Sequence, residues 1–171
     1  MKIILLGYMA SGKSTIGIEI SKKLYMNFID LDAYISEREK RSISEIFNVK
    51  GEIYFRRIES FYLSEILNSK EDFVLSLGGG TPCYGNNMEL IQKSDAKSVY
   101  IKASIKTLVA RLLKEKSNRP LVADLENHQI TEFVAKHLFE RRFFYEQASI
   151  TINTDDKSIE AITAETRIAL Y

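Results

Sequence analysis

Gly7-Tyr8-Met9-Ala10-Ser11-Gly12-Lys13-Ser14 satisfies G-x-x-x-x-G-K-[ST], and it lies between an apolar run, Lys2 to Leu6, and a helical pattern beginning near Ser14. That setting suits a polyphosphate. The glycines allow a tight turn in which successive N–H groups face one concavity, the next helix adds its positive end, and Lys13 reaches the outer phosphates. Ser14 is then placed to hold Mg²⁺. An ordinary glycine-rich turn before a helix is the alternative, but the complete match and its flanks favour a nucleoside triphosphate site.

Further residues fit transfer of a phosphoryl group to a second substrate. Asp30 and Asp32 stand two apart at the end of a short strand, so in extended chain both leave one face, toward the loop. Phosphoryl transfer needs one carboxylate near the metal, assigned to Asp30, and another that orients the acceptor hydroxyl and takes its proton, assigned to Asp32. The competing reading is a helix N-cap at Asp32 with Asp30 merely solvated. Arg56 and Glu59 are neighbours on one helix face, either as a surface ion pair or as a fork held in pose to grip a carboxylate. Leu75-Ser76-Leu77-Gly78-Gly79-Gly80 ends a strand in bare backbone; a simple flexible turn is the alternative, but a ligand lying close against exposed N–H groups explains all three glycines. Ser76 stands where many such enzymes carry a metal-directed aspartate, leaving Asp30 as the substitute.

Arg119-Pro120-Leu121 lies in a polar stretch and is either ordinary loop chemistry or an arginine finger supplied in cis. Arg111 either stacks on a base or is a solvated helical arginine. Arg141 and Arg142 share a helix with Phe143, Phe144 and Tyr145, so one is expected to snorkel while the other points inward. His128 and His137 lack metal-ligand or carboxylate spacing and read as structural or exposed. Phe47, Phe55, Phe61, Phe133 and Tyr145 fall at apolar helical positions and read as core.

These groups need a frame. Apolar runs at Lys2–Leu6, Asn27–Leu31, Phe73–Leu77, Ser98–Ala103 and Ala148–Asn153 read as buried parallel strands. Helical patterns at Ser14–Tyr25, Glu52–Asn68, Asn86–Gln92, Ile105–Lys114, Thr131–Glu146 and Lys157–Ala169 alternate with them. The rhythm predicts an α/β fold, a parallel sheet covered on both faces with its ligand crevice at the carboxyl ends of the strands. Residues 33–60 hold more helix than one crossover needs and read as an acceptor-binding insertion; residues 115–129 are polar and read as a lid.

At 171 residues with a net charge of +1, the sequence predicts one domain whose partners are small molecules, with no basic face for nucleic acid and no polybasic segment for a membrane. The single cysteine, Cys83, rules out an internal disulfide and reads as a plain buried or half-buried thiol, as suits a reducing cytoplasm. The apolar start is broken by Gly7 and is too short for a secretory h-region, and no stretch is long enough to span a bilayer.

Taken in order, the loop Gly7 to Thr15, Asp30-Leu31-Asp32, Ser42 to Phe47 leading to Gly51-Glu52 and Phe55-Arg56, the Gly78–Gly80 run, Arg119-Pro120-Leu121 and Arg141 four before Tyr145 resemble shikimate kinase over nearly the whole chain. The resemblance implies a three-layer P-loop fold, like nucleoside-monophosphate kinases, with a five-stranded parallel sheet, an acceptor segment at about 32–60 and a lid at about 115–127. It also implies transfer from ATP, with Mg²⁺, to the 3-hydroxyl of shikimate in a cytoplasmic monomer. The nucleotide would meet Gly7, Ala10, Ser11, Gly12, Lys13, Ser14, Thr15, Arg111 and Arg119, and the acceptor would meet Asp32, Arg56, Glu59, Gly78, Gly79, Gly80 and Arg141. Ser14 and Asp30 would serve the metal, and Lys13, Asp32 and Arg119 the chemistry. A gluconate-type kinase would share the loop and lid, and a nucleotide switch would share the loop alone; the sequence has no Asn-Lys-x-Asp guanine signature.

Overall fold

A computed structural model describes residues 1–115 and 120–171, with side chains omitted at 120 and 121. Strands β1 (Lys2–Leu6), β2 (Asn27–Asp30), β3 (Phe73–Ser76), β4 (Lys97–Lys102) and β5 (Ile150–Asn153) form one parallel sheet in the order β2-β3-β1-β4-β5. β1 is central because its apolar run can be buried on both faces. Its alternation divides the core. Ile3 and Leu5 pack with Ile16 and Ile20 of α1 (Lys13–Leu24) and Ile162 of α8 (Ile159–Ala169). Ile4 and Leu6 pack on the other face with α3 (Ile43–Leu67), α4 (Asn87–Lys93), α5 (Ile105–Glu115) and α7 (Asn127–Tyr145). α2 (Leu31–Glu39) and the short α6 (Pro120–Ala123) complete the described helices.

The α/β expectation is met. The edge strands are less enclosed than the sequence reading held, since only Ile152 is buried in β5 and no residue is fully buried in β2. The helix-rich insertion resolves into α2 and α3, and α3 is broken at Gly51, whose φ of 82° belongs to no right-handed helix. Ser42 starts α3 with a capping box completed by Glu45.

This topology positions the site. The chain leaves β1 toward α1 on one face and leaves β3 toward α4 on the other, so a crevice opens between the carboxyl ends of β1 and β3. The loop from Gly7 and the glycines from Gly78 lie at this switch point. Among the described residues no helix is long and apolar enough to cross a membrane.

Candidate active site

Residues Gly7 to Gly12 turn sharply between β1 and α1. Gly7 has a φ of 144°, and a β-carbon there would stand 2.6 Å from the Ile101 carbonyl oxygen, so only glycine fits. The Lys13 ammonium curls back over the loop, donating to Gly7 O at 2.8 Å and Tyr8 O at 2.9 Å. Arg111 reaches from α5 to donate to Ala10 O at 3.1 Å and Ser11 O at 3.0 Å. It therefore braces the loop, and a purely solvated arginine is excluded. Among the described residues the buried Ser11 hydroxyl has no hydrogen-bond partner, and Ser11 lines the cleft with the rest of the loop, which suits a bound phosphate.

Ser14 Oγ donates to Asp30 Oδ2 at 3.1 Å and lies 3.4 Å from Ser76 Oγ. The other Asp30 oxygen accepts from the backbone N–H groups of Asp32 and Ala33, capping α2. The cap thus falls on Asp30, not Asp32. The chain is already helical at Leu31, so the two carboxylates do not share a strand face as expected; they converge because Asp32 sits in the first turn of α2, and both line the crevice. The oxygens of Ser14 and Asp30 suit magnesium, which keeps most of its water and takes one or two protein ligands beside the phosphates.

Asp32 is electrostatically distinctive. Burial, and then the nearby Asp30 and Glu59 carboxylates, push its carboxyl up to about 6, while Lys13 and Arg56 pull the other way. A carboxylate at that value can take a proton near neutrality.

Across the crevice, Arg56 donates through Nη1 to Glu59 Oε2 at 2.9 Å. Glu59 is 1% exposed and its Oε1 accepts from Thr81 at 2.6 Å, so the pair joins a half-buried arginine to a buried carboxylate and is not the surface bridge that helix spacing alone suggests. Asn87 extends the network, donating to Thr81 O at 2.8 Å and accepting from Ser60 at 2.6 Å. The three glycines admit these groups. A β-carbon at Gly78 would stand 3.3 Å from Asp32 Oδ1, one at Gly79 3.6 Å from Arg141 Nη1, and one at Gly80 3.0 Å from Arg56 Nη2. Side chains of the protein thus make the close approach that the sequence reading gave to a ligand alone.

Arg141 faces the crevice, with its guanidinium carbon 5.8 Å from the Tyr8 ring centroid. Arg142 points outward to Glu146, at 2.6 Å. One turn beyond Arg141, Tyr145 is fully buried and donates to Gly79 O at 2.6 Å. Together these residues bound a cleft of about 940 Å³ holding Lys13, Ser14, Asp30, Asp32, Arg56 and Arg141. Gly7 and Glu59 lie behind it, supporting its walls. Arg119, with the rest of residues 116–119 of the expected lid, lies outside the described residues.

Sequence reasoning missed Thr81 and Tyr84, which reach Glu59 and Arg56 across more than twenty residues of chain, and Asn87, which ties Thr81 to Ser60. It also placed Phe61 in the core, although that ring is 62% exposed, and Phe47 is only half-buried and lines the cleft. His137 meets the Tyr8 hydroxyl at 3.4 Å, and His128 is exposed. Cys83 is half-buried, and burial pushes its thiol up to about 11, an unreactive state.

The shikimate kinase family model matches residues 9–170. Shikimate kinase from Flavobacterium psychrophilum is 48% identical over 170 residues, covering 99% of both chains. Among solved structures, shikimate kinase from Bacteroides thetaiotaomicron superposes with a TM-score of 0.92 at 34% identity, covering 99% of this chain and 98% of the other. Shikimate kinase from Acinetobacter baumannii in complex with shikimate gives a TM-score of 0.85 at 28% identity, covering 99% of this chain and 92% of the other. With the phosphate loop, the raised carboxylate and the two inward arginines in one cleft, the chain belongs to the shikimate kinase family.

Proposed function

We propose that this enzyme transfers the γ-phosphoryl group of ATP to the 3-hydroxyl of shikimate, giving shikimate 3-phosphate for aromatic amino-acid synthesis. One observation carries the acceptor assignment. Arg56 and Arg141 reach the same glycine rung from α3 and α7, while Asp32 stands beside it. A ring bearing one carboxylate and several hydroxyls needs such a frame, with guanidinium forks for the anion and a carboxylate for the reacting hydroxyl.

In this reading the backbone of Gly7 to Thr15 cradles the phosphates, and Lys13 offsets charge on the outer ones. Arg111, bonded to the loop carbonyls, flanks the nucleotide. Ser14, and Asp30 through water, would hold magnesium, which would supply further charge stabilisation. Asp32 orients the acceptor oxygen in line and receives its proton as the new P–O bond forms and the γ-phosphorus bond to ADP, the leaving group, breaks. Arg119 enters on the family resemblance alone, as the lid residue that neutralises the transferring group and helps exclude water. The working unit is one domain over residues 1–171, with an acceptor segment at 32–60 and a lid at 115–127, acting as a cytoplasmic monomer.

ADP release measured with shikimate, gluconate, quinate and nucleoside monophosphates tests the assignment. Shikimate alone is expected to accelerate it. Equal or greater acceleration by gluconate replaces the acceptor, and acceptor-independent release replaces the kinase reading with a nucleotide switch.

A further inference from the structure

Arg56 is held by more than its ion pair with Glu59. Its guanidinium carbon lies 3.8 Å from the centroid of the Tyr84 ring, a tighter stack than its 5.2 Å approach to Phe55. The space beside Gly80 is also filled by the Arg56 nitrogens, since a β-carbon there would stand 3.0 Å from Nη2. The Tyr84 hydroxyl donates to Glu52 Oε1 at 3.0 Å, and that oxygen stands 3.5 Å from Arg56 Nε. Nε itself is buried and has no hydrogen-bond partner among the described residues. Ring, carboxylate and guanidinium therefore form a closed set of contacts between α3 and the chain just after the turn Thr81–Cys83.

An ion pair alone leaves a guanidinium free to rotate about its bond to the acid. A ring face stacked against it removes that freedom, because the planar cation is attracted to the ring only when it lies over the face. Glu52, at the solvent edge, is also a carboxylate that competes with an incoming one for Arg56, and the Tyr84 hydroxyl occupies one of its oxygens. We propose that Tyr84 is a positioning residue of the acceptor site: its ring fixes the plane in which Arg56 presents its fork to the acceptor carboxylate, and its hydroxyl holds Glu52 at the rim. This deepens the proposed function and rests on it for the identity of the acceptor.

Tyr84→Ala is expected to raise the KM for shikimate by about 2- to 30-fold, the span of cation–π contributions. Its kcat and its KM for ATP should stay near those of the unaltered enzyme. Tyr84→Phe, which keeps the ring, should restore most of the acceptor affinity. An unchanged acceptor KM in Tyr84→Ala overturns the inference, as does a parallel rise in the KM for ATP or a Phe variant as impaired as the Ala variant. A second measurement needs no acceptor: the Arg56 side-chain NMR signals should carry a ring-current shift that is lost in Tyr84→Ala and kept in Tyr84→Phe. A spectrum unmoved by Tyr84→Ala overturns the stack. If the unaltered enzyme ignores shikimate while that shift behaves as expected, the acceptor assignment fails and the positioning role stands.

Discussion

Asp32 joins catalysis to stability. Its carboxyl is held up at about 6, above the ordinary 3.8, so the folded protein binds that proton more tightly than the unfolded chain does. The associated stability is fully present below the lower value and is lost as the pH rises through the upper one. Asp32→Asn is therefore expected to stabilise the fold at about pH 7 by up to about 3 kcal/mol, with the gain shrinking toward about pH 4. The same change should collapse kcat and spare nucleotide affinity. In the unaltered enzyme, kcat/KM for the acceptor should rise through about pH 6 as the free carboxyl ionises. Thermal melts across pH and steady-state profiles read both; an Asn variant that is active, or less stable at neutral pH, removes the base from this residue. Sequence spacing identified the carboxylate pair but not which member caps the helix, because that depends on where the strand ends, a boundary local pattern fixes only to within a few residues. The same limit applied to Arg141 and Arg142: adjacency left both open, and helix rotation against Tyr145 and Glu146 separates them.

The turn after β3 and the helix α3 are matched surfaces. Gly80 has an ordinary φ of −87°, so alanine costs no backbone strain there, but its β-carbon would press on the Arg56 guanidinium at 3.0 and 3.2 Å. Arg56 must then give by a few tenths of an ångström. Gly80→Ala is expected to raise the acceptor KM about tenfold, short of the roughly hundredfold cost of a full ångström misplacement. Its melting temperature and KM for ATP should hardly move, and an unchanged acceptor KM would show that the fork has slack. Periodicity revealed α3 and the glycine run as elements, since each is a local pattern. It gave no sign that Thr81, Asn87 and Tyr84 would close around Glu59 and Arg56, because such contacts are set by how α3 packs against the turn. Phe61 failed for a related reason: an apolar residue at helical spacing is core only where another element covers it.

At the scale of the molecule, the nucleotide should bind only the folded chain, since its cradle joins β1, α1 and α5. Magnesium-ATP at a hundred times its Kd is expected to add about 2.7 kcal/mol and to raise Tm by roughly 5–11 °C. Differential scanning calorimetry with and without the nucleotide reads this, and Lys13→Ala should abolish most of it. A flat response in the unaltered protein would remove the triphosphate site. Strand–helix alternation made the parallel sheet legible in advance, and a strand–loop–helix motif at β1 placed the crevice. The sparse burial of β2 and β5 went unread, although the polar residues within Asn27–Asp30 and Ile150–Asn153 set them apart from the unbroken apolar run of β1.

The sealed Glu59 carboxylate has a bearing on ancestry. Replacing Arg56 alone leaves a buried anion without its countercharge, a loss of about 3–5 kcal/mol that threatens folding before any change of acceptor can be selected. A lineage drifting toward uncharged alcohols must therefore exchange both residues together, and homologues that abandon one should be found to have abandoned the other.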